Sequence, residues 1–263
     1  MKPVVELKNA TKIIDNGMNE KKVILDHVNL AIYPGDFITV LGGNGAGKST
    51  LFNSLAGTLT LTEGQFLIEG VNRTNLSEVK RAKSLARVFQ DPKMGTAPRM
   101  TVAENLLLAM KRGQKRPLTL RKINEQRALF TKICQEVGNG LENHLDTPTG
   151  NLSGGQRQAL SLLMATITKP ELLLLDEHTA ALDPKTSKQL MHLTEQRIEE
   201  GNLTCLMITH RMEDALRYGN RLIVLQKGKI VQDLNAAEKA QLTLQDLLLF
   251  FEERSEEHTS ELQ

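Results

Sequence analysis

Apolar and polar positions alternate at the start of the chain through Val4, Glu6 and Leu7, the two-residue period of a half-buried strand. Residues 25–32 and 37–41 also read as strands, parted by the turn Pro34-Gly35-Asp36. A glycine-rich loop follows, and a helical pattern begins at 51–55. Short strands are predicted at 65–69, bounded by Gly64 and Gly70, and at 85–89, ending at Gln90. The period then changes, and 101–167 reads as helical. Ile123, Phe130, Ile133 and Val137 recur at steps of seven, three and four, which gives one apolar face. Gly138, Gly140, Pro148 and Gly150 break that pattern before Leu152. Continuous apolar runs at 172–175 and 204–209 read as parallel strands buried on both faces. Residues 221–225 and 230–231, joined through 226–229, suggest a terminal hairpin. Strands alternating with helices predict an α/β fold with a mainly parallel sheet, and roughly 91–168 is a helical insertion into it.

Composition narrows the function. The 263 residues carry 33 Lys+Arg against 31 Asp+Glu, a net charge of +2, where a dedicated nucleic-acid binder is markedly basic. Seven Phe, two Tyr and no Trp are poor material for stacking bases. Cys134 and Cys205 cannot make a disulfide framework or a four-ligand zinc site, and read as buried thiols of a reducing cytosol. No run approaches the ~18 apolar residues of a membrane span, and the first residues lack the apolar core of a signal peptide. A soluble intracellular chain is expected, with any membrane role coming through partner subunits. The last ten residues, 254–263, show no apolar pattern. They read as the translation of a sequencing-library adapter and are expected to be non-native.

Three segments carry chemistry. GGNGAGKST, residues 42–50, fits the phosphate-binding pattern G-x-x-x-x-G-K-[ST], after a strand and before a helix. Backbone N–H groups across Gly42, Gly43, Asn44, Gly45, Ala46, Gly47, Lys48, Ser49 and Thr50 can wrap phosphates, with the helix start adding partial positive charge. Lys48 supplies a charge for the β- and γ-phosphates, and Ser49 a hydroxyl for magnesium. The apolar run at 172–175 delivers Asp176 and Glu177 at a strand's end, where doubly wound sheets bind ligands. Asp176 suits magnesium and Glu177 suits a general base. Alone, such a strand end is ordinary; paired with the phosphate loop it completes a nucleotide site. Finally, Leu152-Ser153-Gly154-Gly155-Gln156 is a second anion-seeking helix start, with Ser153 as its cap. Taken by itself, it could equally be a flexible turn with a helix cap.

Together these segments resemble the ATP-binding-cassette (ABC) ATPases. GGNGAGKST resembles their phosphate loop, LSGGQ their signature, LLLLDE their magnesium and catalytic strand, and VFQDP the segment with their Q-loop glutamine, Gln90. ALD resembles their dimer-contacting loop, with Asp183, and ITHR their switch-histidine loop, with His210. Order and spacing agree from about Val4 to Val231. The resemblance implies a P-loop NTPase core of 1–90 and 169–253, an antiparallel β subdomain, and an inserted α-helical subdomain at 91–168. It implies ATP and Mg2+, sandwiched in a head-to-tail dimer. Ser153, Gly154, Gly155 and Gln156 of one copy would meet the γ-phosphate held by the other. Glu177, His210 and Gln90 would be catalytic, with Ser49, Gln90 and Asp176 at the metal. It further implies integral-membrane permease subunits, an extracytoplasmic substrate-binding protein, and a place on the inner face of the cell membrane. Amino-acid import is the leading expectation, since DEHTAALDP resembles a bacterial subfamily paired with permeases of branched-chain type, some serving aromatic amino acids. A non-transport ATPase of repair or translation is the alternative. Two positions depart from the family. Ile13 or Ile14 stands where an aromatic ring usually stacks on the base, and His178 stands where proline usually follows the glutamate.

Overall fold

The structure is a computed structural model describing residues 1–15, 21–114, 122–249 and 251; the expected non-native tail lies outside them. The first part of the chain forms β1 (Val5–Asp15), β2 (Lys21–Ile32), β3 (Phe37–Leu41), α1 (Lys48–Ala56), β4 (Glu63–Ile68), β5 (Val71–Asn72), α2 (Glu78–Arg81) and β6 (Leu85–Val88). The helical stretch gives α3 (Val102–Met110), α4 (Ile123–Gln135) and α5 (Gly154–Thr166). Then come β7 (Leu172–Asp176), α6 (Pro184–Gly201), β8 (Cys205–Ile208), α7 (Met212–Arg217), β9 (Arg221–Gln226), β10 (Lys229–Leu234) and α8 (Ala236–Lys239).

Two sheets result. One is antiparallel, in the order β2-β1-β4-β5. The other runs β10-β9-β3-β8-β7-β6, parallel throughout except for the terminal hairpin. Strand β7 shows why its sequence is apolar without alternation. Leu172 and Leu174 pack with Leu51, Phe52 and Leu55 of α1, which lies between the sheets. Leu173 and Leu175 face the other way, against Leu162 of α5 and Leu190 and Met191 of α6. All four leucines are fully buried, each worth about 1.5–3 kcal/mol of transfer free energy.

The stretch between β6 and β7 has its own core, with Val102, Leu106, Phe130, Ile133, Leu141 and Leu160 packed together. It is less helical than its sequence pattern predicts. Residues 136–153 hold only two short 3-10 turns, at Leu141–His144 and Thr149–Asn151. Gly138 and Gly140 take left-handed backbone angles there, φ +70° and +79°, which ends α4 before Val137. Among the described residues no helix is long and apolar enough to cross a membrane.

Register places the chemistry. Val40 of β3 pairs with Ile208 of β8, and Ile208 pairs with Asp176 of β7. The carboxyl ends of three neighbouring strands therefore open side by side onto the phosphate loop, Glu177 and His210.

Candidate active site

The phosphate loop leaves β3 and turns into α1 through Gly47, whose φ is +104°. A Cβ there would lie 2.8 Å from the Ile24 carbonyl oxygen, and one at Gly42 would lie 2.4 Å from that of Leu225. Neither position has room for a side chain. Gly43 and Gly45 instead face open space, so the cradle is walled by main chain on its protein side and open on the other. No side chain caps α1, which leaves its first N–H groups to an anion. Lys48 folds back over the loop, donating from Nζ to the carbonyls of Gly42 (2.6 Å) and Gly43 (3.0 Å). Burial lowers its pKa, and the nearby Glu177 and Asp176 charges oppose that shift. Ser49 and Thr50 lie in the first turn of α1.

Asp176 ends β7 with its Oδ2 held by Arg87 of β6 at 2.6 Å. The other arm of that guanidinium donates to Asn53 Oδ1 of α1 at 2.7 Å, and its Cζ lies 4.7 Å from the centroid of the Phe89 ring. The sequence reading missed Arg87. Its signal is a charge inside the otherwise apolar strand LARVF, since arginine is rarely buried without a partner.

Glu177 has φ +44°, a left-handed conformation that costs a non-glycine residue about 1–3 kcal/mol. Its N–H donates to the Ile208 carbonyl at 3.2 Å, and its carbonyl accepts from Ala180 N–H at 2.9 Å. Its Oε2 lies 3.5 Å from Nδ1 of His210. Sequence-distant Glu177 and His210 are thus brought together at the edge of the phosphate loop. Next to Glu177, His178 is buried, with Nε2 3.0 Å from Thr194 Oγ1. Burial lowers its pKa to about 4, so the ring is neutral.

Ser153 caps α5 as its sequence predicts. Its Oγ accepts from Gln156 N–H and its own N–H donates to Gln156 Oε1, both at 3.2 Å. Arg157 braces the approach to this cap through the Thr149 and Gly150 carbonyls, at 2.9 and 2.7 Å. Exposed Gln90 and Gly154, with buried His178, line one cavity of about 340 Å³. Gln158 Nε2 holds the Phe89 carbonyl at 2.9 Å and so fixes the start of the Gln90 segment. Asp183, read as a dimer contact, has a local task as well. It caps α6, accepting from Lys185 and Thr186 N–H at 3.1 Å each, and the Thr186 side chain, with these backbone bonds, lowers its pKa. Ile13 and Ile14 lie in β1 opposite Val23 and Lys22.

The donors suit magnesium. Ser49 and Asp176 offer hard oxygens. Among the described residues no cluster of three or more His, Cys, Asp and Glu could hold a metal ion.

The chain is similar to known proteins. The family model described as "ABC transporter" matches residues 25–180. The chain is 42% identical over 250 residues to a tyrosine transport ATP-binding protein of Clostridioides difficile, covering 95% of this chain and 99% of that protein. It is 35% identical to a spermidine/putrescine import ATP-binding protein of Haemophilus ducreyi, with 88% of this chain and 58% of that protein aligned. Among solved structures, a dimeric ATP-binding cassette in a post-hydrolysis state bound to ADP and phosphate superposes with a TM-score of 0.75. Its identity is 30%, over 88% of this chain and 98% of the other. A family model spanning more than half of the chain, and 42% identity across nearly all of it, make this chain a member of the ABC transporter ATP-binding family.

Proposed function

We propose that the chain is the ATP-hydrolysing subunit of a membrane importer whose cargo is an aromatic amino acid. The observation that carries the chemistry is the pairing of Glu177 with His210, 3.5 Å apart, at the strand ends beside the Lys48 loop. The main-chain N–H groups of 42–50 and the Lys48 ammonium bind and orient the triphosphate. Glu177 accepts a proton from water as the water oxygen bonds to the γ-phosphorus and ADP departs with the bridging oxygen. His210 holds that water and the γ-phosphate. When bound by Ser49, Asp176 and Gln90, magnesium supplies charge neutralisation of the phosphate oxygens. Arg87 fixes one Asp176 oxygen and leaves the other for this task.

The second helix start supports a dimer in which Ser153, Gly154, Gly155 and Gln156 of one copy close over the nucleotide of the other, with Asp183 at the contact. The dimeric solved cassette supports the same assembly. In this reading 1–90 with 169–253 is the nucleotide core, and 91–168 is the signature subdomain. Membrane permeases dock on the latter near Gln90, on the inner face of the membrane, and an extracytoplasmic binding protein delivers cargo. The tyrosine transport relative supports the cargo class. The repair or translation alternative finds no support in the relatives reported above. The test is Glu177→Gln with saturating ATP: a stable dimer on size exclusion is expected, and a persistent monomer refutes the sandwich.

A further inference from the structure

We propose that His178 is a positioning residue for hydrolysis: its ring, bonded to the Thr194 hydroxyl of α6, fixes the turn that presents Glu177. The inference rests on the reading of Glu177 as general base.

Glu177 sits at φ +44°, and such backbone strain persists only where the surroundings over-determine it. Besides the Ala180 bond inside the turn, two grips tie it to the rest of the fold. The first is the Glu177 N–H on the Ile208 carbonyl. The second belongs to the next residue. His178 is 2% exposed, and its Nε2 lies 3.0 Å from Thr194 Oγ1. Thr194 is fully buried, and its hydroxyl donates to the Leu190 carbonyl at 2.8 Å. A hydroxyl has one hydrogen to give. Its oxygen therefore accepts from His178, whose Nε2 carries the proton of this bond.

This bond ties the turn to the middle of α6, a helix packed through Leu190 and Met191 against Leu173 and Leu175 of β7. Asp183 ties the far end of the same turn to the start of α6. The Glu177 segment is thus pinned at both ends to one rigid helix, and the strained angle is held. Without the His178 bond, Glu177 relaxes toward an ordinary conformation and its carboxylate leaves His210. A pair that merely filled the core would contribute to stability alone.

The test uses the full chain. Thr194→Val keeps the shape and removes the acceptor; Thr194→Ser keeps the acceptor. Thr194→Val is expected to lower kcat for ATP about tenfold with KM within about twofold, because catalytic geometry is lost while binding is kept. Thr194→Ser is expected to restore kcat to within about twofold, and adding His178→Ala to Thr194→Val to cause no further loss. Wild-type kcat in Thr194→Val, or equal losses in the Val and Ser variants, overturns the proposal. Should Thr194→Val not fold, long-range 1H–15N spectra of the wild-type ring decide: an Nε2–H tautomer is expected, and Nδ1–H overturns it. Glu177→Gln separates the two readings. Retained hydrolysis there removes the general base itself, whereas loss there with a fully active Thr194→Val removes only the positioning role.

Discussion

Two glycine-rich helix starts stand in this chain, and they are built differently. Helix α1 begins at Gly47, in a left-handed conformation with no side-chain cap. Helix α5 begins at Ser153 inside a reciprocal capping box with Gln156. Both carry the same end-of-helix charge. The first leaves its N–H groups open and sets a lysine across the loop. The second satisfies the Gln156 N–H with its own serine, and only Gly154 and Gly155 remain to offer their N–H groups. One start is a complete cradle, whereas the other can add to a phosphate held elsewhere but cannot hold one alone. The proposed sandwich dimer would use that inequality.

The comparison breaks first at Lys48. Lys48→Ala is expected to weaken ATP binding by the single chain at least about a hundredfold, as measured by isothermal titration; substitutions at 153–155 should leave that binding within about twofold. Near-wild-type affinity in Lys48→Ala would make the two starts equivalent. A second contrast concerns shape. A Cβ at Gly155 would meet Thr186 Cγ2 at 2.6 Å. Gly155→Val in the Glu177→Gln background should therefore abolish the ATP-bound dimer on size exclusion while sparing single-chain affinity. A smaller effect separates the caps. Ser153→Ala should cost about 1 kcal/mol in denaturant unfolding. Gly47→Ala should cost about 1–3 kcal/mol, from φ strain and the Ile24 carbonyl. The smallest effect is in acid. Asp183 caps α6 with a carboxylate whose pKa is lowered by the bonds it accepts. The unfolded chain binds that proton first as pH falls, so the stabilisation is full above the ordinary value of 3.8 and is lost as pH drops through the lowered folded value. Asp183→Asn keeps a cap and should flatten this part of the acid limb in thermal melts taken as pH falls from the ordinary value of 3.8.

The fold was readable wherever one period governed a segment. The strand at 172–175 was plain because both of its faces are buried, and the Ser153 cap because its spacing to Gln156 is local. The stretch 136–153 is less helical than the 101–167 reading expects, because the glycines and proline that interrupt its apolar pattern end α4 outright instead of marking short breaks between helices. In the site, contiguous motifs were legible, and contacts across the sheet were not. Nothing near Arg87 in sequence announces that its partners are Asn53 and Asp176. That pairing depends on β6 lying beside β7, which the chain does not encode locally. His178 was visible as a departure from a family pattern, while its partner sixteen residues on, Thr194, is identified only by the packing of α6.

The strand order also has a consequence in time. Strand β3 lies between β8 and β9, so Phe37 meets Cys205 and Ile38 meets Arg221. Leu85 waits likewise for Leu172. At roughly 5–20 residues per second, a ribosome separates the making of β3 from the making of its first neighbour by on the order of ten to thirty seconds. Such long-range pairing is slow to close even once the partner exists. The segment with the clearest signature in the chain is thus synthesised early and shaped late. A nascent chain arrested before residue 205 displays GGNGAGKST without the strands that orient it, and nucleotide can reward folding only when synthesis is nearly done.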